Sequence, residues 1–493
     1  MASRGKPLSS LATVVDAEVI GAGDPEIIDV HHDSRRVTPD SLYVALVGSR
    51  ADGHDFVDAA VASGATAVCV SRRTGAAVPE LVVDDTRWAL GDLADEVHEH
   101  PSHSLDVVGV TGTNGKTTVT HYVESLAGQA GRMTGLVGTI HTRIAGESIP
   151  ATLTTPEASE FQRILATMRD RGVSVVAAEV SSHALELGRV RATRFAVAAF
   201  TNLSQDHLDF HGDMDSYRQA KERLFTEYEV GTAVINLDDP VGAALAASYR
   251  GKLLTVGEKG EISVRRLVQG ETGSRFELAT PWGSAEVETP VIGDFNVANL
   301  AVAVGCCLGI GLDFGVVVAG MGSIPGVPGR FEIVSDGGGF IVVVDYAHTP
   351  EGVRRAVANG RSLASNRVIA LIGAGGDRDR VKRSAMGEAA SAADLVIVTS
   401  DNPRSEDPGE ITDAVAAGVD PATEKAVEVD RRRAIELAVG SAGPGDVVLI
   451  LGRGHEPAQE IGGVKVPFDD REVARAVLAA AGGPSDTTGD RGG

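Results

Sequence analysis

The sequence predicts an α/β protein of three domains, with a nucleotide-type parallel sheet in the middle and a doubly wound, Rossmann-like sheet at the end. Three observations support this fold class. The chain has 493 residues, which is too long for one hydrophobic core and suggests about three domains. Hydrophobic residues make up 43% of it, enough for several cores. Short apolar runs alternate with amphipathic segments, as in parallel strands joined by helices. We place the domains at residues 1–104, 105–329 and 330–493.

Composition and charge exclude several classes of protein. Lys and Arg total 45 and Asp and Glu total 68, so the formal net charge is −23. This charge disfavours nucleic acid or an anionic membrane as a partner. No apolar run approaches the roughly 20 residues that span a bilayer, and the N-terminus lacks the apolar core of a signal peptide. We therefore expect a cytoplasmic, monomeric enzyme with small-molecule substrates.

The first domain has the pattern of a small α/β unit. Apolar runs at residues 42–47 and 67–70 predict strands, and residues 56–62 predict a helix. The polar stretch HEHPSHS, residues 98–104, is typical of a linker to the next domain. Its histidines leave a metal site as the alternative. Cys69, elsewhere in this domain, has no metal-ligand spacing and predicts a buried, small apolar side chain, like Cys306 and Cys307.

The second domain opens on the most informative segment of the chain. Residues 107–110 form an apolar run typical of a strand buried on both faces, and residues 117–126 carry apolar residues at helical spacing. Gly112 and Gly115 lie between them. They permit a tight loop whose backbone N–H groups can converge on phosphate oxygens at the N-terminus of the helix.

The residues after this loop strengthen the prediction of a nucleotide phosphate site. Lys116 supplies a mobile cation, and the hydroxyl of Thr117 is suited to Mg²⁺. The pattern is not a complete P-loop, because Val110 occupies the position of its first glycine. A purely structural turn is the alternative.

Further strands at residues 175–180, 196–200 and 233–236 imply a parallel sheet with crossover helices. Glu179 lies near the end of the first of them, in the sheet that carries the phosphate loop. Its carboxylate could therefore face Mg²⁺ across a nucleotide. The alternative is a helix-capping or salt-bridged glutamate at the surface.

A dense polar loop follows the strand at residues 196–200. Its sequence, TNLSQDHLDFHG, contains Asn202, Asp206, His207, Asp209 and His211. His207 could be a second metal ligand, and Asp206 or Asp209 could orient its ring as an outer-shell hydrogen-bond partner. Ordinary loop polarity is the alternative for each of these residues.

The third domain begins after a Pro/Gly cluster at residues 322–330, which we interpret as a hinge. Apolar runs then predict the buried strands of a doubly wound sheet, whose ligands bind beyond the carboxyl ends of the strands. These runs cover residues 341–344, 368–372, 395–398 and 447–451. The tail at residues 482–493 is of low complexity, and we expect it to be disordered.

Each of these four runs leads into a polar loop. The loops are DYAHTP (345–350), GGDRDRVKR (375–383), SDNPR (400–404) and GRGHE (452–456). An arginine can hold a carboxylate through two hydrogen bonds, and Asp, Asn and Glu can hold an ammonium. Together the loops predict a pocket for a zwitterion such as an amino acid, although each loop alone could be a plain turn.

Six motifs, in their order and spacing, resemble the Mur ligase family of ATP-dependent amide ligases over nearly the whole chain. They are TGTNGKTT, EVSSHAL, TNLSQDHLDFH, YRQAKERLF, DYAHTP and GRGHE. The N-terminal DSRRVTPDSLYVALVGSRADGHDF, together with TTPE and DNPR, is similar to members that add meso-diaminopimelate, and lysine-adding relatives differ at DNPR.

The resemblance implies a cytoplasmic enzyme of peptidoglycan synthesis, and so a part in cell-wall biogenesis, cell shape and cell division. It implies that ATP activates the D-Glu γ-carboxylate of UDP-MurNAc-L-Ala-D-Glu as an acyl phosphate, which meso-diaminopimelate then attacks. Lys221 looks like the lysine that CO₂ carbamylates in the family, which would make it a ligand for Mg²⁺. From the sequence alone it is typical of an exposed helical lysine.

The resemblance also implies a role for each matching residue. The catalytic residues would be Lys116, Glu179, His207 and Lys221, and the Mg²⁺ ligands Thr117, Glu179, His207 and Lys221. ATP would contact Thr111, Gly112, Thr113, Asn114, Gly115, Lys116, Thr117, Thr118, Asn202, Arg330 and Asp345. The UDP end would contact His32, Ser34, Ser49, Arg50 and Ala51, and the muramoyl dipeptide Thr154, Thr155, Ser181 and Arg189. Diaminopimelate would contact Arg378, Asp401, Asn402, Pro403, Arg404, Gly452 and Glu456.

Other functions fit the sequence less well. A related ligase could add L-lysine instead. Folylpolyglutamate synthetase resembles the last two domains, but the UDP-type N-terminal domain argues against it. A P-loop switch or motor has no use for a zwitterion pocket. A catalytically silent binding protein would not need Lys116, Glu179, His207 and Lys221 together.

Overall fold

Three α/β units, each built around its own sheet, make up the computed structural model, which describes residues 5–48, 51–270, 272–335 and 339–481. Each large sheet draws its strands from one of the three predicted domains. The boundaries themselves stay predictions. The tail at residues 482–493 lies outside the described residues. In the described part of the chain, none of the helices has the length and apolar character to cross a membrane.

The first unit is a five-stranded sheet, parallel except at one edge. Its strands, in spatial order, are Glu18–Ile20, Glu80–Val82, Ala65–Val70, Ser41–Val44 and Asp29–His31. Its helices are Leu8–Val14, Ser34–Arg36, Gly53–Phe56, Val57–Ala62, Thr86–Val97 and Pro101–Ser104, of which the second, third and last are 3₁₀ helices. A small ribbon pairs Lys6–Pro7 with Glu26–Ile27. The predicted strands and helix are therefore present, with shifted ends.

The predicted linker at residues 98–104 is packed against the protein. His98 and Ser102 are buried, and His98 Nε2 lies 3.3 Å from Asp29 Oδ1. Within the described ranges, no three His, Cys, Asp or Glu side chains gather as a metal cluster, here or elsewhere. The structure therefore gives the metal-site interpretation of this stretch no support.

The second unit contains an eight-stranded sheet. Its strands, in spatial order, are Glu147–Pro150, His141–Ile144, Thr134–Val137, Val175–Glu179, Asp106–Thr111, Phe195–Phe200, Val230–Asn236 and Leu253–Val256. The last six are parallel, as predicted, and the first two form an antiparallel edge that the sequence did not reveal. Its helices are Lys116–Gln129, Ala158–Asp170, Ser182–Glu186, Leu208–His211, Met214–Thr226, Pro240–Ser248, Asp294–Gly309 and Phe314–Met321.

The centre of this sheet is buried on both faces, as the apolar run predicts. Val108 and Val110 pack in one hydrophobic cluster with Leu300, and Val107 packs in another with Phe195. The predicted buried cysteines are confirmed, since all three thiols are buried and free. An unpredicted antiparallel sheet, formed by Ser263–Gly270, Gly273–Thr280 and Gly283–Thr289, packs against the first cluster.

The third unit is the predicted doubly wound sheet, with apolar clusters on both faces. Its strands, in spatial order, are Glu332–Ser335, Ile341–Asp345, Val447–Leu451, Val368–Ile372, Leu395–Val398 and Glu424–Val427, and only the first is antiparallel. Its helices are Pro350–Leu363, Lys382–Ala390, Pro408–Ala416, Arg431–Gly440 and Asp470–Ala481. A hairpin pairs Ala458–Ile461 with Val464–Pro467. Because the four predicted strands run parallel, their polar loops meet at one edge.

Candidate active site

The phosphate loop joins the strand Asp106–Thr111 to the helix Lys116–Gln129. Gly112 and Gly115 have φ angles of +145° and +89°, which L side chains rarely adopt. A Cβ atom at Gly112 would overlap Thr201 Oγ1, and one at Gly115 would overlap Asn299 Oδ1. Both glycines are therefore required by conformation and by space, and the loop brings its backbone N–H groups to the start of the helix.

Two lysines meet at this loop. Lys116 Nζ donates to the carbonyls of Gly112 and Thr113 at 2.8 and 2.9 Å. Lys221 Nζ donates to the same Gly112 carbonyl at 2.8 Å. Burial, together with the neighbouring charge of Lys116, lowers the pKa of the Lys221 ammonium well below its usual range. The two amines therefore lie close together in a site with little water.

Lys221 is 1% exposed, so the interpretation of an exposed helical lysine is wrong. The helix Met214–Thr226 turns Tyr217, Lys221 and Leu224 to its buried side. This spacing of four and three residues is that of one helix face, and it was the signal available in the sequence. The Tyr217 ring supports the ammonium, with Nζ 4.5 Å from the ring centroid.

Oxygen donors gather on the other side of the loop. Glu179 is fully buried, which rules out the surface glutamate. Its Oε2 accepts hydrogen bonds from the hydroxyls of Thr117 and Thr139, both at 3.0 Å. Arg330 Nη2 donates to Thr117 Oγ1 at 3.0 Å. Carboxylate and hydroxyl oxygens in this arrangement fit Mg²⁺, which binds oxygen ligands. Sequence reasoning missed Thr139, because no motif includes it.

His207 and Asp206 face the junction with the third unit. Burial lowers the pKa of His207 to about 3, so its ring is neutral at pH 7 and can offer a lone pair to a metal. Its Nε2 lies 3.5 Å from Asp206 Oδ2. Asp206 also lies 3.5 Å from His348 Nε2 and 3.8 Å from Lys382 Nζ, both in the third unit. His211 instead contacts Ser182 Oγ at 3.0 Å, and Asp209 is exposed.

A cavity of about 90 Å³ separates the phosphate loop from the third unit. Of the predicted ATP residues, those lining it are Asn114, Gly115, Thr118, Asn202, Arg330 and Asp345. The Arg330 guanidinium lies over the Tyr346 ring, 4.5 Å from its centroid. Asp345 accepts hydrogen bonds from the backbone of Phe331 and Ala347 at 2.6 and 2.8 Å. Thr111, at the end of the strand, and Thr113, in the loop itself, are buried and do not line this cavity.

A second cavity, of about 220 Å³, lies between the same two units. Its lining includes six of the seven residues predicted for the amino acid, together with Asp206, His207 and Lys382. The six are Arg378, Asp401, Asn402, Arg404, Gly452 and Glu456. Pro403 does not line it, and the Pro403 carbonyl lies against Gly376. The cavity therefore presents arginines and carboxylates together and extends to the polar loop of the second unit.

The residues predicted for the UDP substrate fall into two places. Beside Glu179, Thr155 Oγ1 donates to the Glu179 carbonyl at 2.7 Å, and Arg189 Nη1 donates to the Thr155 carbonyl at 3.3 Å. Thr154 and Ser181 belong to this group through hydrogen bonds to Thr139 and Thr155. In the first unit, His32 Nδ1 lies 2.9 Å from Ser159 Oγ. Ser34 and Ala51 are also in this unit, and Ser49 and Arg50 lie outside the described residues.

A phosphate loop that adjoins a second, mixed-charge pocket across a domain junction suits an ATP-dependent ligase, because the nucleotide and an amino acid can be held side by side. Three segments match descriptions of one family. Residues 26–98 match "Mur ligase family, catalytic domain", residues 110–307 "Mur ligase middle domain", and residues 329–454 "Mur ligase, glutamate ligase domain".

Two relatives share the name UDP-N-acetylmuramoyl-L-alanyl-D-glutamate–2,6-diaminopimelate ligase. The protein of Geobacillus kaustophilus is 45% identical over 471 residues, which cover 93% of this chain and 96% of that protein. The protein of Streptomyces coelicolor is 43% identical over 486 residues, covering 95% and 96%. A solved structure with the same name has a TM-score of 0.69 at 33% identity, covering 96% and 99%. The chain belongs to the Mur ligase family.

Proposed function

We propose that this chain uses ATP to join meso-diaminopimelate to the D-Glu γ-carboxylate of UDP-MurNAc-L-Ala-D-Glu, in peptidoglycan precursor synthesis. The observation that carries the proposal is the mixed-charge cavity beside the phosphate loop, where Arg404 and Glu456 line the same space as His207. The names of the relatives support this choice of substrates. Because ATP is the energy source, we also propose the cytoplasm as its location. We propose a monomer as the working form.

The chemistry requires an activated acyl group, because a carboxylate is a poor electrophile. The γ-carboxylate oxygen attacks the γ-phosphorus of ATP, the bond to the bridging oxygen of ADP breaks, and an acyl phosphate forms. An uncharged amino group of diaminopimelate then attacks the acyl carbon. Inorganic phosphate leaves with the electron pair of the C–O bond, and the nitrogen loses a proton. No group of the protein forms a covalent bond, so catalysis rests on positioning and charge.

The residues around the loop supply that positioning. Lys116 can turn from the Gly112 and Thr113 carbonyls towards the β- and γ-phosphates of ATP. We propose that Thr117 and Glu179 hold one Mg²⁺, and that His207 and carbamylated Lys221 hold a second. When bound, such ions neutralise the charge that accumulates between two anions. The buried position of Lys221 and its lowered pKa favour the uncharged amine, which is the form that reacts with CO₂.

Diaminopimelate differs from lysine by a second carboxylate. We propose that Arg404 and Arg378 bind this distal carboxylate, while Asp401 and Glu456 bind an ammonium. Burial and the charge of Asp401 raise the pKa of Glu456, which indicates a carboxylate that awaits a cation. A lysine-adding ligase would leave the two arginines without a partner.

The test is a ligation assay on the purified chain. ATP and UDP-MurNAc-L-Ala-D-Glu are supplied with meso-diaminopimelate or with L-lysine, and phosphate release and product mass are measured. A parallel reaction contains a reduced folate and L-glutamate. We expect the tripeptide product with diaminopimelate and at least about 10³-fold lower kcat/KM with lysine. Efficient ligation of lysine, or a polyglutamylated folate, would overturn the proposal.

A further inference from the structure

A buried arginine lies behind the mixed-charge cavity. Arg453, in the GRGHE loop, is 0% exposed and does not line the cavity. Its Nη2 donates to the Phe468 carbonyl at 2.9 Å, and its Nε lies 3.8 Å from Asp470 Oδ1. A fully buried guanidinium loses its hydration, so hydrogen bonds and ion pairs must compensate its charge. The hydrogen bonds of Arg453 therefore identify the groups that it holds in place.

The remaining nitrogen of Arg453 fixes the amide of Asn402. Arg453 Nη1 donates to Asn402 Oδ1 at 2.9 Å, and the backbone N–H of Glu460 donates to the same oxygen at 2.9 Å. Two donors on Oδ1 leave only one orientation of the amide, with its nitrogen on the other side. That nitrogen, Nδ2, donates to Glu456 Oε2 at 2.7 Å. A continuous path of hydrogen bonds therefore runs from Arg453 through Asn402 to Glu456. The direct contacts of Arg453 with Glu456 are longer: Nη1 lies 3.9 Å from Glu456 Oε2, and Nη2 donates to the Glu456 carbonyl at 3.5 Å.

A second buried ion pair anchors this path. Arg431 donates to both carboxylate oxygens of Asp470, at 2.8 and 2.6 Å. It also donates to the carbonyls of Ser400 and Leu451 at 3.2 and 3.0 Å. Ser400 and Leu451 immediately precede the residues that line the cavity in the SDNPR and GRGHE loops. Arg431 and Asp470 thus tie the bases of the two loops together, and Arg453 links their functional side chains.

We infer that Arg453 is a positioning residue for the incoming diamino acid, because it orients Asn402 and, through it, the Glu456 carboxylate. Glu456 Oε2 is occupied by Asn402, and Oε1 accepts no hydrogen bond from the residues that the structure describes, so Oε1 can receive an ammonium. The inference rests on the proposed function, since it requires the cavity to bind a diamino acid. It assigns to Arg453 a part in amino-acid affinity and none in ATP binding.

The test compares Arg453→Met, which keeps an apolar stem but no donor, with Arg453→Lys, which keeps a cation. Arg433→Met, at an exposed position of the helix Arg431–Gly440, is the matched control. We expect Arg453→Met to raise the KM for diaminopimelate about 10- to 100-fold. This is the range typical of losing the hydrogen-bond partner that orients a metal ligand. The KM values for ATP and for the UDP substrate should stay near wild type. Arg453→Lys should recover most of the affinity, and the control should behave as wild type.

A double-mutant cycle separates positioning from general loss of structure. If Arg453 acts through Asn402, adding Arg453→Met to Asn402→Ala should raise the KM for diaminopimelate little beyond the single Asn402→Ala change. Should Arg453→Met not fold, as judged by circular dichroism, Arg453→Gln carries the same expectation, because its shorter side chain cannot reach Asn402 Oδ1.

Three results would overturn the inference: an unchanged KM for diaminopimelate, an equal rise in all three KM values, or additive effects in the cycle. Failure of the proposed function is distinguishable from these, because the wild-type chain would then not ligate diaminopimelate at all.

Discussion

Arg404 should carry most of the discrimination between diaminopimelate and lysine. Its backbone is left-handed, with φ of +52°, and its side chain is 24% exposed at the cavity wall. Nη1 donates to the Gly376 carbonyl at 2.6 Å, and Nε lies 3.6 Å from Glu460 Oε2. The other N–H of Nη1 and those of Nη2 remain for a carboxylate. The fork can therefore still make two parallel hydrogen bonds.

The size of the effect follows from those two bonds. A hydrogen bond to a charged group contributes about 1.5–3 kcal/mol, so losing two in Arg404→Met costs about 3–6 kcal/mol in transition-state binding. Each 1.4 kcal/mol is about tenfold, which gives roughly a 10²- to 10⁴-fold fall in kcat/KM for diaminopimelate. Lysine has no distal carboxylate, so its already low kcat/KM should change little. The ratio between the two substrates should collapse.

The assay measures kcat/KM for both amino acids in the wild type, in Arg404→Met and in Arg380→Met. Arg380 is the matched control, because it belongs to a neighbouring loop but is 72% exposed in a pair with Glu406. We expect the control to keep the wild-type ratio. An unchanged ratio in Arg404→Met would refute the assignment of the SDNPR loop to the distal carboxylate.

Three further predictions concern the lysines and one histidine. Lys116→Ala should abolish ligation while circular dichroism and melting temperature stay near wild type, and normal turnover at saturating ATP would exclude the phosphate role. Lys221→Ala should be nearly inactive and regain some activity with added short carboxylic acids, which replace the carbamate; full activity without them would contradict this. Burial lowers the pKa of His31 from 6.5 to about 4, so the unfolded state alone gains this proton between those pH values. The free energy of unfolding should therefore fall by about 1 kcal/mol per pH unit on acidification through this window. Urea titrations at several pH values measure this pH dependence, and His31→Gln should weaken it. The same pH dependence in the variant would refute the assignment of the lowered pKa to His31.

Strands buried on both faces were predicted well. The runs at residues 368–372, 395–398 and 447–451 coincide with the observed strands, because two covered faces require a continuous apolar sequence. The sheet at residues 263–289 was missed for the opposite reason. One of its faces is exposed, so its strands alternate between buried and exposed residues and lack a continuous apolar run. In the first strand, a register shift between Arg265 and Val268 also breaks the period of two.

The motif residues were easier to find than their partners. Gly112 and Gly115 identify the phosphate loop in the sequence, because only glycine adopts the required φ angles and avoids the overlap that a Cβ atom would cause there. Thr139 and Arg453 act through hydrogen bonds to Glu179 and Asn402, which are distant in sequence, and no local pattern encodes such pairs. Lys221 lies between these cases. The sequence alone suggested an exposed lysine, although its spacing from Tyr217 and Leu224 is that of one buried helix face.

The most direct test of the account is to follow oxygen from substrate to phosphate. UDP-MurNAc-L-Ala-D-Glu labelled with ¹⁸O in both γ-carboxylate oxygens is incubated with the wild-type chain, ATP and meso-diaminopimelate, and the products are analysed by mass spectrometry. The account predicts that each phosphate released carries one ¹⁸O and that each new amide keeps the other. Release of unlabelled phosphate would mean that water, and not the carboxylate, attacks ATP, and it would contradict the acyl phosphate on which the proposed function rests.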